Sequence, residues 1–281
     1  PYIAHASIGL VCALAEPLRH SANQTGLTVY THSQGVFKLR QQIAAALGFS
    51  EDLLDVVHSP GAGCYGHNGA DDVALDAAFL AHHLKVPVRV QWTRQDEMCV
   101  TPFGSASLIE LSAGLNDQGH ITDWHAEVWS HSHLNRPGWS TGINLLGAWA
   151  LDPQVARPVQ KDQLLPTGGG LRNIIPYYAL PALDVMHHFV PEGPLRVSAL
   201  RSLGGFANTF AIESFMDELA ESAKVDPLEF RLRHSKDARA KHVLQTTADS
   251  AKWNSRGEGQ DGHGYGIAFG RTKTTQGIVQ L

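Results

Sequence analysis

A glycine every two or three residues, at Gly61, Gly63, Gly66 and Gly69, is the feature that most limits what this chain can fold into. Glycine tolerates positive φ and lets another group reach the backbone, so this density serves a sharp reversal, a close approach, or both. The run Leu54 to His58 before it reads as a strand. Asp71 to Leu84 after it reads as a helix, with Val73, Ala77, Leu80, Ala81 and Leu84 on one face. Residues 61 to 66, Gly-Ala-Gly-Cys-Tyr-Gly, thus spell GxGxxG between a strand and a helix, the setting of a dinucleotide fingerprint. Three features oppose that reading. The helix opens after Gly69 rather than at the third glycine. Asp71 and Asp72 occupy its first turn, where a pyrophosphate would sit. No acid closes the next strand at the usual spacing of about 20 residues, Asp96 and Glu97 coming too late. The plain alternative is a turn that only reverses the chain, but four glycines in nine residues exceed what one turn needs.

The flanking sequence supplies the frame. Leu27 to His32 alternates as a strand, and Val36, Leu39, Ile43 and Leu47 repeat at helical spacing up to Gly48, which is placed to end that helix. Val86 to Trp92 reads as another strand. Leu108 to Leu115 and Ile121 to Trp129 flank the turn Asn116 to Gly119 as a hairpin. Asn135 to Gly170 is rich in proline and glycine and lacks a sustained period; because it carries Trp139, Leu145, Leu146 and Trp149, it reads as ordered loop lying over another surface. Leu195 to Leu200 reads as a strand, and Phe206 to Ala223 as a helix with Phe210, Phe215 and Leu219 inward. Asp226-Pro-Leu-Glu229 combines an N-cap, a proline at the first position and a capping-box glutamate. From Gly257 a new, glycine-rich strand system begins. Strands and helices mixed with hairpins predict an α+β fold.

Composition removes several classes. Hydrophobic content of 43% and charged content of 17% describe an ordinary globular chain, and a net charge of −5 argues against a nucleic-acid surface. Three widely spaced cysteines, Cys12, Cys64 and Cys99, form neither a disulfide framework nor a CxxC metal site, so an iron–sulfur cluster held by this chain alone is not expected. Apolar runs are too short for a membrane span, and no signal peptide is visible. The chain opens at Pro1 without methionine and stops inside the strand-like run Gly277 to Leu281, which predicts a fragment of a longer polypeptide, incomplete at both ends.

The glycine loop, Gly61 to Asp72, resembles the loop bordering the molybdenum centre in the large, molybdopterin-binding subunits of the xanthine dehydrogenase and aldehyde oxidase family, in the variant of the isoquinoline and nicotinate hydroxylase branch. Other segments follow in that family's order. Pro1 to Ala6 resembles the opening of the region. Thr31-His-Ser-Gln-Gly35 resembles the strand end whose glutamine reaches an oxygen ligand of the metal. Ala199-Leu-Arg-Ser202 with Gly204, Gly205 and Phe206 resembles the stretch whose arginine lies near the cofactor. Ala211 to Ala220 and Asp226 to Arg231 resemble the helix pair after it. No one of these motifs is specific; their order and spacing are. Two departures stand out. Asn68 and Gly69 replace the glutamate with which xanthine-type enzymes grip a purine, and Pro181 to Asp184 stands where they carry a substrate arginine, so a purine substrate is not implied.

The resemblance implies a molybdenum hydroxylase that puts a hydroxyl from water onto an N-heteroaromatic or aldehyde carbon. It also implies a molybdopterin cofactor, in the cytosine dinucleotide form, and electron transfer to iron–sulfur clusters on a small two-cluster partner, with a cytochrome c as a further partner. Residues 1–220 would form the first molybdopterin-binding domain and 221–281 the start of the second; the catalytic glutamate would lie beyond Leu281. On this reading the cofactor contacts are Gln34, Gly63, Cys64, Tyr65, Gly66, His67 and Arg201. A neutral amide such as that of Gln34 donates to a metal-bound oxygen without adding charge, though it equally caps the helix that follows. The Arg201 fork suits an anion, though a surface ion pair with Glu213 is the alternative. Tyr65 is an aromatic wall or a core residue. A Cys64–metal bond is not expected, since the family's metal takes its sulfurs from the pterin. Of the 16 histidines, the pairs His82-His83, His131/His133 and His187-His188 lack metal-site spacing, and only His67 is retained as a site residue. The rival from another class is a non-catalytic or degenerate binding module on the same scaffold; a dinucleotide-binding oxidoreductase is the less favoured alternative.

Overall fold

The computed structural model describes residues 1–21, 24–139, 141–152, 155–162, 168–272 and 275–280; Leu281, part of the expected terminal strand, lies outside them. The chain runs β1 (Cys12–Ser21), β2 (Gln24–Thr31), α1 (Val36–Leu47), β3 (Leu54–His58), α2 (Ala70–Leu84), β4 (Val88–Gln91), α3 (Arg94–Val100), β5 (Phe103–Gly104), β6 (Ser107–Leu115) and β7 (Ile121–Ser130). There follow α4 (Leu146–Leu151), β8 (Leu183–Phe189), β9 (Val197–Ser198), α5 (Gly205–Ser222), α6 (Pro227–His234), α7 (Ala238–Ser250), β10 (Ile267–Thr272) and β11 (Thr275–Gln280). Two compact units share this chain discontinuously. The first takes Pro1–Ala106, Ser130–Gln163 and Phe189–Leu203, the second Ser107–Trp129, Leu164–His188 and Gly204–Leu281.

The first unit is built on a sheet of order β3-β2-β1-β4, in which β1 pairs antiparallel with both β2 and β4 while β2 and β3 run parallel. A doubly wound dinucleotide fold is a mostly parallel sheet, so this topology removes the structural basis for the GxGxxG reading. One face of the sheet is closed. Val11, Ala13, Ala15, Leu27, Val29 and Leu54 pack against Leu39, Ile43 and Ala44 of α1 and Val73, Ala74, Ala77, Ala78 and Ala81 of α2. Strand β1 was not anticipated. Its inward residues are alanines while Leu14 points outward, because the alanine-rich face of α2 lies close against it. For the same reason the inward face of α2 turns away from the expected one: Leu80 and Leu84 are exposed.

The second unit carries a sheet of order β6-β7-β8. Alternate residues of β7, Trp124, Ala126 and Val128, are buried with Ile212, Met216, Leu219 and Ala220 of α5, the period-2 signature of a sheet covered on one face. Phe210, expected inward, is 72% exposed, whereas Phe215 meets the Trp124 ring edge-on at 5.2 Å. Arg231 of α6 is wholly buried and ion-paired to Glu213 at 2.9 Å and Asp217 at 2.6 Å. Asp226 caps α6 as its sequence predicts, accepting from the Leu228 and Glu229 N–H groups. Glu229 pairs with Arg233 instead of closing a capping box. The strand expected at Leu195 to Leu200 contracts to β9, and the irregular stretch after Asn135 contains α4, with Leu145 and Ala148 in the first unit's core and Trp139 65% exposed. Among the described residues no helix is long and apolar enough to cross a membrane.

Candidate functional site

The glycine loop leaves β3 through Ser59, whose N–H still donates to Thr31 O at 2.8 Å. It then turns through positive φ at Gly63 (100°), Tyr65 (58°) and Gly66 (122°). Ala199 to Arg201 docks on it as a short antiparallel partner. The His67 N–H donates to Ala199 O at 2.8 Å, the Arg201 N–H donates to Tyr65 O at 2.8 Å, and Gly66 bridges Leu200. A Cβ on Gly66 would lie 2.1 Å from Ala199 O. Gly61 is likewise hemmed by His32, Gly63 by Tyr65, and Gly69 by Trp92 and Thr101. The close approach implied by the glycine density is thus made by the protein's own groups at all four positions.

Beneath the loop lies a buried polar network. The Cys64 thiol is 3.2 Å from both Gly66 O and Asn68 Oδ1, either of which accepts its proton. Asn68 Oδ1 also accepts from the Ala70 N–H at 3.0 Å, and Asn68 Nδ2 donates to Ser7 Oγ at 2.9 Å. Burial pushes the Cys64 thiol up to about 11, so its sulfur is protonated at neutral pH. His67 is fully enclosed. Its Nδ1 lies 2.9 Å from Asn135 O and 2.8 Å from Ser198 Oγ, and burial pushes its pKa down to about 3. It is a neutral histidine of the interior, with no exposed edge to offer a ligand. The two acids at the head of α2 are committed inside as well. Asp71 accepts from Ser33 Oγ at 2.6 Å, and burial raises its carboxyl to about 6. Asp72 takes a two-pronged ion pair from Arg196, with one arm at 2.9 Å, and accepts from the Leu146 N–H at 2.9 Å.

Gln34 stands at the mouth of this network. It is exposed, its backbone N–H faces the Cys64 sulfur, and its Oε1 accepts from Arg136 at 3.2 Å. Its side chain makes no cap on α1. Tyr65 and Gly66 are half-buried and the Arg201 side chain is exposed; Glu213 is engaged by Arg231. The structure therefore joins Gln34 to Cys64, and Tyr65, Gly66 and His67 to the Arg201 segment. Beside Gln34 opens a groove of about 580 Å³ that includes Phe37, Lys38, His58, Arg136 and Trp139. A second groove, of about 510 Å³, lies behind Gly61 between Cys12, Tyr30, His32 and Arg89. Arg136 and the Asp72–Arg196 pair escaped the sequence reading. Arg136 sits in the stretch without period, 102 residues from Gln34, and Arg196 is 124 residues from Asp72. Among the described residues no group of three or more His, Cys, Asp or Glu side chains is arranged to hold a metal ion.

A family model described as the molybdopterin cofactor-binding domain matches residues 2–143 and 161–234. One of the subunits of nicotinate dehydrogenase from Pseudomonas putida is 36% identical over 279 residues, covering 96% of this chain and 22% of that protein. The molybdenum-binding subunit of the aldehyde oxidoreductase of Escherichia coli, PaoC, is 30% identical over 269 residues, 87% of this chain and 32% of that one. The beta subunit of isoquinoline 1-oxidoreductase from Brevundimonas diminuta is 28% identical over 236 residues, 82% of this chain and 27% of that one. The chain thus spans between a fifth and a third of the length of these relatives. Among solved structures, quinoline 2-oxidoreductase from Pseudomonas putida superposes with a TM-score of 0.67 at 15% identity, over 90% of this chain and 31% of that one. The aldehyde oxidoreductase from Desulfovibrio gigas gives 0.67 at 18% identity, over 96% and 28%. The α+β fold expected from sequence is the fold these proteins share.

Proposed function

Because the chain belongs to the molybdopterin cofactor-binding domain family, we propose that it is the molybdopterin-binding part of a longer oxidoreductase that hydroxylates an N-heteroaromatic or aldehyde carbon with oxygen from water. Two of the relatives are named for N-heteroaromatics and one for aldehydes, so both substrate classes stand. When bound, the cofactor supplies the redox chemistry, and the protein supplies position and electrostatics. The observation that carries the reading is the exposed amide of Gln34, held by Arg136 beside a glycine loop onto which the Arg201 segment docks.

These residues suit an oxygen-rich anionic group. With Oε1 taken by Arg136, the Gln34 amide presents its NH2 end as donor. Arg201 offers an exposed side chain, and half-buried Tyr65 and Gly66 are tied by backbone contacts to the segment that carries it. Gly63 permits the loop to turn. Cys64 and His67 sit below it and hold the loop's shape, the first by its thiol proton and the second as a neutral ring whose Nδ1–H donates toward Asn135 O and Ser198 Oγ. The protonated Cys64 sulfur is no metal ligand, which suits a metal whose sulfurs come from its pterin. The cytosine dinucleotide form of the cofactor, a small two-cluster iron–sulfur subunit and a cytochrome c as electron-transfer partners, and the division into a first domain over 1–220 and the start of a second over 221–281 belong to the same proposal. No residue of the chain is proposed as the catalytic base.

The test is to express the complete parent polypeptide with its partner and measure molybdenum and pterin. Well-folded, active material lacking both would end the reading. In that parent, Gln34→Ala is expected to lower turnover and shift its pH profile; unchanged turnover and profile would remove Gln34 from the site.

A further inference from the structure

We propose that Asp71 is the positioning residue of Gln34, acting through Ser33: the buried carboxyl at the head of α2 fixes the strand end on which the Gln34 amide stands. This rests on the reading of Gln34 as a contact of the reacting centre. Asp71 is 3% exposed and Asp72 beside it is wholly buried, yet the two are used differently. Asp72 is paired with a cation, Arg196. Among the described residues no Lys or Arg pairs with Asp71; its neighbour is the neutral His67, whose Nε2 lies 3.4 Å from Asp71 Oδ2. With its Nδ1–H turned to Asn135 O and Ser198 Oγ, that ring brings a lone pair and no proton to the contact. A carboxyl buried without a cation costs stability. The dipole of α2 favours an acid here, but the carboxyl is turned to Ser33, 38 residues away in the chain.

Ser33 immediately precedes Gln34, and all of its polar atoms are engaged. Its Oγ donates to Asp71 Oδ1 at 2.6 Å and accepts from the Gly35 N–H at 3.1 Å, so one hydroxyl ties the residues on either side of Gln34 to α2. The Ser33 N–H donates to Thr31 Oγ1 at 3.3 Å, and that hydroxyl donates to Ala70 O at 3.1 Å. Ser33 O lies 3.0 Å from His58 Nδ1. The head of α2 thus grips the strand end through two neighbouring residues, Ala70 and Asp71. It is itself anchored by Asp72, which takes Arg196 and the Leu146 N–H. Without the Asp71 carboxyl, the Ser33 hydroxyl loses its acceptor and the Gly35 N–H loses a partner of fixed direction. The Gln34 side chain is exposed and held by Arg136 at 3.2 Å, so its amide stands where this backbone puts it. A contact misplaced by about 1 Å can cost on the order of 100-fold in rate.

The complete parent with its partner decides this, with turnover counted per molybdenum so that unfolded or unloaded enzyme drops out. Asp71→Ala and Ser33→Ala are each expected to lower kcat about tenfold or more with little change in KM. Asp71→Asn keeps an acceptor for Ser33 and turns its NH2 toward His67 Nε2, and it is expected to recover most of that loss. Because Asp71 acts through Gln34, Asp71→Ala is expected to add little to the loss already caused by Gln34→Ala. Hydrogen exchange of the Gly35 amide is expected to quicken in Asp71→Ala and Ser33→Ala and to stay slow in Asp71→Asn. Should Asp71→Ala fail to fold, Ser33→Ala, which removes a single hydroxyl, gives the same cycle. An undiminished kcat per molybdenum in the alanine variants, or losses that multiply in the double variant, overturns the inference. So does an Asp71→Asn as slow as Asp71→Ala, since the carboxyl would then act by its charge and not by holding Ser33. Full turnover in Gln34→Ala removes the functional reading of Gln34 instead, and exchange at Gly35 then still decides whether Asp71 holds this strand end.

Discussion

Gly66→Ala is expected to unlock the glycine loop from the segment that closes it. The added methyl would stand 2.1 Å from Ala199 O and 2.9 Å from Ala199 C, both backbone atoms with no rotamer to give. It would also force a non-glycine residue to φ of 122°, at a cost of about 2 kcal/mol. Relief of the clash requires Ala199 to withdraw, which breaks the His67–Ala199 and Tyr65–Arg201 backbone bonds, each worth about 1 kcal/mol. The sum is about 4 kcal/mol, localised at one junction. Hydrogen exchange reads it directly, because the His67 and Arg201 amides are the two donors of that junction. Both are expected to lose protection while amides in the middle of α2 keep theirs, and the unfolding midpoint is expected to fall. Gly35→Ala is the control: its Cβ meets nothing within 4 Å, and its effect is expected within about 0.5 kcal/mol. A Gly66→Ala variant that matches wild type within about 1 kcal/mol, with His67 and Arg201 still protected, would refute the view that close backbone approach is why this position is glycine.

Asp72→Ala is expected to destabilise by about 3–5 kcal/mol, since it leaves the largely buried Arg196 without its charge partner. Chemical denaturation checks this, and adding Arg196→Met should recover part of the loss. Asp71→Asn changes the pH dependence of stability. Burial raises the Asp71 carboxyl to about 6 from an ordinary 3.8, so the folded chain keeps this proton where the unfolded chain has released it. Its contribution is present at low pH and lost as pH rises from about 4 to about 6. His67, pushed down to about 3, acts in the opposite sense and stays in both proteins. The stability of Asp71→Asn relative to wild type should therefore rise by up to roughly 3 kcal/mol over that window; unfolding midpoints at several pH values give the difference, and a flat one would reject the account. Alkylation of the native chain at pH 8 is expected to label exposed Cys99 well before Cys64, whose buried thiol is pushed up to about 11. Peptide mapping with time gives the order, and early labelling of Cys64 would contradict its burial.

What the residues made legible was local. Helix α1 ends at Gly48 in the left-handed conformation the sequence calls for, and β3 and the Asp226 cap lie where periodicity and cap chemistry place them. What stayed hidden depended on contacts across long separations. Strand β1 escaped because the side chains it buries are alanines, which carry little strand signal; their small size matters only once the alanine face of α2 lies against them. Phe210 misled because a large aromatic at helical spacing usually points inward, whereas α5 presents it to the outside. At the site, Gln34 and the Ala199 to Arg201 stretch could be singled out from the order of motifs. Arg136 could not, since nothing near it in sequence marks it as the partner of Gln34. The glycines were read correctly as a place of close approach, but the approaching atoms proved to be Ala199 O, His32, Tyr65, Trp92 and Thr101.

The junction between the loop and Ala199 to Arg201 also sets an order of events during synthesis. His67 is separated from Ser198, its hydrogen-bond partner, by 131 residues. At ribosomal speeds of about 5–20 residues per second, the loop waits on the order of 10 s before the chain that closes it has been made. Until then the buried His67 ring, the Gly66 backbone and the Tyr65 carbonyl have no partner from that side. Sheet β3-β2-β1-β4 with α1 and α2 can form first from contiguous chain, so the loop is the part of the first unit completed last.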